Sequence, residues 1–349
     1  MTPDAFNAAG KIRWGWFIAA ALIALLLPLV QDTSTATLLG IYALFALSLG
    51  LMWGYAGILS FGHGAYFGLG AYSYAISAMN VGESTGPLLL AILIPAAFAA
   101  VIGALMFYGR ISDVYMGVIT LVVTLILFKF MSATAGEAYR IGAARLGGFN
   151  GIPAFPILNV PGNPSLTIFG TPFYYVVAFC LFGCYLLSRW ILASSFGRVL
   201  IGIRENEARA ELLGYNAAAY KTAIFTISAA MAGLAGCLFG CWAEIVTPGV
   251  FSLGQSAEVI IWTIVGGLGS LVGPMIGAAA LGMLKILLGQ QQYIDNSLVM
   301  GTILVLVVLL IPRGFAPAFA VWRQRALQAR VGRRQAGGTR RRRSSQESN

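Results

Sequence analysis

The chain has 349 residues, of which 58% are apolar and only 10% are charged, with a formal net charge of +10. A soluble domain carries about a quarter charged residues, so a water-soluble globular protein is excluded, and no stretch free of apolar runs is long enough to fold alone. The 43 glycines fit helices packed in lipid, where small residues let backbones approach one another. The expected fold is all-α: a polytopic membrane protein of about ten transmembrane helices, since 17–25 apolar residues cross the hydrocarbon, with Gly-rich broken segments.

In chain order, Lys11 and Arg13 precede an apolar run from Trp14 to Val30. No small-x-small cleavage site follows it, so it is expected to stay as a first span behind a cytoplasmic segment of residues 1–13. Further expected spans are Ala36–Trp53, Ala56–Met79, Pro87–Tyr108, Tyr115–Ala133 and Thr171–Ile191, then Thr222–Ala243, Ser256–Leu268, Leu271–Gly289 and Ser297–Ile311. Short loops rich in Lys and Arg lie in the cytoplasm. That rule places Arg110, the connector around Arg198 to Lys221 and the basic tail inside, and makes the stretch 256–289 two crossings. Arg140 and Arg145, in the loop assigned outside, run against the scheme. Residues 14–312 therefore form one membrane domain, and 313–349 a basic tail expected to be disordered near anionic lipid. Nucleic acid is not expected as a partner. The external loop 134–170, with GGFNGIPAFP and NVPGNP, reads as an ordered cap or docking surface, or as a plain connector.

The longest polar interruption is Ser194 to Lys221, SSFGRVLIGIRENEARAELLGYNAAAYK. From Arg198 to Leu213, Val199, Leu200, Ile203, Ala208 and Leu212 recur at helical steps, which predicts an amphipathic helix. Arg204, Glu207 and Glu211 take the opposite side, Glu205 and Arg209 stand at an i,i+4 pairing distance, and Gly214 supplies the terminator.

Two glycine-dense stretches stand out. The first, Gly54 to Tyr72, reads GYAGILSFGHGAYFGLGAY and holds Ser60, Gly62, His63 and Gly64. Its six glycines would weaken an ordinary helix by about 1 kcal/mol each, so in a membrane they mark close packing or a break lining a cavity. The second, VGGLGSLVGPMIGA from Val265 to Ala278, holds Gly266, Gly267, Gly269 and Ser270, and Glu258 stands upstream, where a buried carboxylate needs a partner or water. One broken segment in each half of the chain points to a substrate site near the membrane midplane. His63 is the only histidine, and its structural reading is a buried ring bonded to a carbonyl. Cys180 with Cys184 and Cys237 with Cys241 share helix faces and read as packing residues, so no metal site is expected.

These three stretches, in this order, resemble the permease subunits of ABC importers for branched-chain amino acids, over about residues 36–317. The resemblance implies that the connector docks an ATPase, with Gly197, Arg204, Glu205, Glu207, Glu211 and Gly214 on the matching positions. It also implies a second permease chain, two ATP-binding subunits and an external solute-binding protein in a bacterial plasma membrane. At Ile58, where the family often has Gln, and at Trp262, the chain is similar to relatives that carry urea or short amides. No phosphate loop of the G-x-x-x-x-G-K-[ST] type occurs, so ATP and Mg²⁺ belong to a partner chain, and no nucleophile–base–acid set for an enzyme is present. The competing classes are an amino-acid or urea ABC permease, an ion-coupled secondary transporter relying on Glu258, with Lys129 and Lys285 snorkelling from helix ends, and a membrane enzyme.

Overall fold

In the computed structural model the described residues are Pro28, 32–289 and Gly301–Thr302. Apart from those isolated positions, the expected spans Trp14–Val30 and Ser297–Ile311, the N-terminal segment 1–13 and the basic tail 313–349 lie outside them. Within residues 32–289 ten α-helices follow in order: α1 Thr33–Leu51, α2 Gly64–Val81, α3 Thr85–Tyr108, α4 Asp113–Ala133, α5 Thr171–Ala193, α6 Ser195–Glu205, α7 Glu207–Leu212, α8 Ala217–Ala243, α9 Leu253–Gly266 and α10 Val272–Gly289. Six segments among the described residues are long and apolar enough to cross a membrane: α1 with the turn after it (Thr33–Ala56), α3, α4, α5, α8 and α10. The expected span Ala56–Met79 is corrected: residues 57–63 leave the helix and α2 starts only at Gly64. The expected span Ser256–Leu268 is the short helix α9 of 14 residues.

α1 is apolar on every side, as a helix surrounded by protein should be, and Asp32 caps it by accepting from the Thr35 amide at 3.0 Å. Its most apolar stretch is 83% buried, against 22% for α3 and α5, so α1 is the axis and α3 and α5 are outer staves. It packs against α8, α10 and α5. The closest crossing is between α2 and α8, where a Cβ on Gly70 would overlap the Gly233 backbone and one on Gly236 would overlap the Phe67 carbonyl. Gly233 in turn lies against the Ala91 carbonyl and the Pro95 ring of α3, so three helices meet at a seam where α8 contributes no side chain.

At one end the loop 134–170 folds into a cap. Strands β1 (Arg140–Ile141) and β2 (Ala144–Arg145) form one hairpin, and β4 (Asn159–Val160) and β5 (Asn163–Thr167) another. β3 (Ile152–Pro153) pairs with β6 (Ile245–Val246) beyond α8, Ile152 opposite Val246. Leu146, Ile152, Phe155 and Leu158 are buried beneath it. Asn80 at the end of α2 accepts from the Ala143 amide at 2.8 Å and donates to the Ile141 carbonyl at 3.0 Å. Ser84 donates to the Asn159 side chain at 2.6 Å. The loop is thus an ordered cap.

Replacing Gly236 by Leu forces a side chain into the α2 backbone, whereas Gly183 on α5 is exposed with open space where its Cβ would stand. Gly236→Leu is expected to lower stability by about 3 kcal/mol or to abolish folding, the cost of overpacking. Gly183→Leu is expected to be neutral, and thermal unfolding of the detergent-purified protein compares the two.

Candidate functional site

The site is built from two breaks that approach from opposite ends of the bundle. α1 ends in a π-type turn, Met52–Ala56, and Gly57, at φ +76°, turns the chain back on itself. Residues 57–63 then run back along α1, bringing His63 to Ser48, with Nε2 and Oγ 2.8 Å apart. The Ser48 hydroxyl also lies 2.6 Å from the Phe45 carbonyl, which can only accept. The hydroxyl has one proton to share between the carbonyl and the ring, and with the proton directed at the carbonyl His63 donates from Nε2. Gly62 presses on α4: a Cβ would overlap the Thr120 carbonyl, and the Gly62 carbonyl accepts from Thr124 Oγ1 at 3.0 Å. Thr124 stands about 16 Å along α4 at 1.5 Å per residue, near the middle of that helix.

The second break descends from the cap. After β6, a 3₁₀ turn at Pro248–Phe251 leads into α9, which Ser252 caps by accepting from the Gln255 amide at 3.2 Å. Phe251 seats on Gly68 and stacks on Tyr72 with ring centroids 5.4 Å apart. α9 ends at Gly267, φ +100°, and Ser270 opens α10 by accepting from the Gly273 amide at 2.9 Å. A Cβ on Gly266 would overlap Gly273, so α9 and α10 touch backbone to backbone.

The two stretches meet twice. The Gly64 amide donates to Ser256 Oγ at 3.1 Å. Nearer the connector, the Tyr55 hydroxyl donates to the Gly269 carbonyl at 3.2 Å, and a Cβ on Gly54 would lie 3.2 Å from the Gly269 nitrogen. The predicted glycines therefore divide by role. Gly62, Gly64 and Gly266 are filled against by protein, whereas Gly269, at φ +88°, has open space. Among the described residues, the buried side-chain polar atoms without a partner are Ser60 Oγ, His63 Nδ1, Tyr72 OH, Gln255 Nε2 and Trp262 Nε1. Every one lies on the first break, on α2 after it, or on α9.

Glu258 has its partner: Lys285 Nζ of α10 donates to its two carboxylate oxygens at 2.6 and 2.8 Å. The expectation that Lys285 snorkels away is corrected, because turning inward neutralises a carboxylate that would otherwise be costly.

The connector is also rebuilt. Instead of one helix over 198–213, α6 and α7 are broken at Asn206, which is extended and whose side chain caps α7 by accepting from the Arg209 amide at 2.9 Å. Glu205 and Arg209 thereby fall on different helices and their expected pairing is lost. Leu200 and Ile203 are buried as expected, but Leu212 is 89% exposed and Leu213 72%. The helix α7 ends at Leu212 and Leu213 is its C-cap, so the apolar period stops there before either can turn inward. Glu207 pairs with Lys221 at 2.6 Å and Glu211 with Arg110 at 3.5 Å. Gly197 is buried where a Cβ would press on Leu192 of α5, and Gly214, at φ +88°, follows the last helical turn of the connector as expected of a helix terminator. Arg204 Nη1 donates to the Gly54 carbonyl, and its Cγ lies 3.2 Å from where a Cβ on Gly57 would be. The connector thus touches the first break directly.

A family model described as the permease component of the branched-chain amino acid transport system matches residues 31–311. The chain belongs to that permease family. It is 30% identical over 306 residues to the high-affinity branched-chain amino acid transport system permease protein LivH of Escherichia coli K12, covering 82% of this chain and 94% of the relative. It is 28% identical over 328 residues to LivM of the same organism, 86% of this chain and 74% of the relative. A probable LivM of Methanocaldococcus jannaschii is 26% identical, over 73% of this permease and 80% of its own length. No solved structure matches the chain.

Ser256 holds the two breaks of this permease together from a buried position. Ser256→Ala is expected to destabilise by about 1–3 kcal/mol, the cost of leaving the buried Gly64 amide unpaired. A thermal melt checks it, with Ser252→Ala, which removes only a cap, expected to cost about 1 kcal/mol.

Proposed function

We propose that this chain is a membrane-embedded permease subunit of an ABC importer for branched-chain amino acids, multi-pass in a bacterial plasma membrane. A second permease chain, two ATP-binding subunits and an external solute-binding protein complete the importer, and ATP and Mg²⁺ are held by the ATPase. About ten spans, with the connector and both termini cytoplasmic, is the arrangement that fits the charges and the 17–25 residues a span needs. The observation that carries the reading is the contact of Arg204 with the Gly54 carbonyl. A loop that moves with an ATPase then pulls on the break lying against Gly269 through Tyr55 and Gly54. Leu212 and Leu213 supply the apolar surface for ATPase docking, as an exposed apolar tip on a water-facing loop implies. The role of Glu207 and Glu211 is to brace the loop against Lys221 and Arg110, with Glu205 and Arg209 left at its surface. The solute path runs between the breaks, past Ser60, His63, Glu258, Gly267, Gly269 and Ser270, where the unpartnered polar atoms collect, with Gly62, Gly64 and Gly266 bringing the backbones of its walls together.

Ion-coupled transport is disfavoured by the Glu258–Lys285 pair, which ties up the carboxylate such coupling would need. A urea or short-amide solute remains the second reading, on Ile58 and Trp262.

Leu212→Asp with Leu213→Asp is expected to reduce copurification of the ATPase by about tenfold or more, since burying one Leu contributes about 1.5–3 kcal/mol. Arg204→Gln is expected to leave the ATPase bound and ATP hydrolysis running while uptake falls about tenfold, the worth of a charged hydrogen bond; normal uptake would refute the link. For the solute, uptake by vesicles containing the whole importer should be competed by leucine and not by urea. Competition by urea alone reverses the assignment.

A further inference from the structure

The Glu258–Lys285 pair is more than neutralised charge. The side chains are 18% and 29% exposed respectively, so the pair is open on one side rather than sealed inside the bundle. Charged groups within a membrane domain face a partner or a watery passage, not lipid. The surface beside it is low: Gly254, one turn before Glu258 on α9, and Ala257 next to it are exposed and carry nothing longer than a methyl group. Behind it the wall is aromatic, with Lys285 Nζ 5.9 Å from the Tyr42 ring centre and Trp262 packed on Tyr42 at 4.7 Å. The Trp262 indole N–H has no acceptor among the described residues.

We propose that this pair is the charge-reading element of the solute path and that it selects zwitterionic α-amino acids, a proposal that rests on the importer reading above. When the solute arrives, its carboxylate takes Lys285 and its ammonium takes Glu258, so one internal ion pair is exchanged for two with the solute. The exchange conserves net charge. A solute carrying only one charge satisfies one member of the pair and leaves the other facing a neutral group or its own sign, which is discrimination by repulsion as well as attraction. An uncharged amide opens the pair without replacing it. The shallow floor at Gly254 and Ala257 leaves room for the solute to lie across the pair.

The test is direct binding of radiolabelled leucine to the purified permease–ATPase complex in lipid nanodiscs, without the external binding protein, so that no other subunit sets the affinity. Leucinamide, which keeps the ammonium only, and N-acetyl-leucine, which keeps the carboxylate only, are the competitors. The wild-type complex is expected to prefer leucine to each by about tenfold or more, the worth of one charge-assisted hydrogen bond. Glu258→Gln with Lys285→Met, which removes both charges together and strands neither, is expected to erase that preference and weaken leucine binding about as much. Ala257→Leu keeps the ion pair, alters an exposed position and is expected to weaken leucine binding with an unchanged melting temperature. Equal binding of the three compounds, undiminished leucine binding in the neutral pair and in Ala257→Leu, or no leucine binding to the wild type overturns the proposal. Leucine uptake by the intact wild-type importer is read in parallel. If uptake is present while these results fail, only the charge-reading role is lost; if uptake is absent, the importer reading itself fails.

Discussion

A peptide group that leaves a helix inside hydrocarbon has no water to bond to, and each unpaired one costs several kcal/mol. That constraint governs the arrangement around the two breaks. The Gly62 carbonyl is met by Thr124 of α4, the Gly64 amide by Ser256 of α9, the Gly269 carbonyl by Tyr55 and the Gly54 carbonyl by Arg204 of the connector. Each partner comes from a different part of the chain. The breaks are tolerable only because the rest of the molecule is assembled around them.

Glycine has two separate uses here. In the α2–α8 seam and at Gly62 and Gly266 it removes side chains so that backbones touch, and the gain is packing. At Gly57, Gly267 and Gly269 it supplies positive φ where the chain must reverse or stop, and the gain is geometry. A lipid-exposed bundle lacks a strong hydrophobic force between helices, so the first use stands in for it. The second decides where the helices end, and with it where the polar atoms of Ser60 and His63 are left without partners.

Much of this was legible in the residues. Glycine density locates both breaks, Gly214 marks the end of the helical part of the connector, and the Pro- and Gly-rich loop 134–170, which reads as a cap, a docking surface or a plain connector, is an ordered cap. What was missed depends on distance or on a local competition. The bond from Arg204 to Gly54 spans 150 residues and carries no periodic trace. Periodicity reveals the helix that carries Lys285 but not that helix's neighbour, and only the α9–α10 crossing puts Glu258 within 2.6 Å. The Asn206 break was within reach: an Asn followed by an acidic first turn is a helix start, yet the apolar period running through it read as continuous.

The position of α1 bears on how the protein is made. It is the axis of the bundle, yet it is among the first described segments to leave the ribosome. Ser228, which donates to the Ser48 carbonyl, is encoded 180 residues after it. At about 5–20 residues per second, α1 waits some ten to thirty-five seconds for α8, and longer for α10, whose Pro274 covers Gly50. During that interval Ser48 already has His63 beside it, but the face of α1 that α8 and α10 cover stands open. Any lesion that delays α8 therefore prolongs the time during which the covered face of the most deeply buried helix stays open.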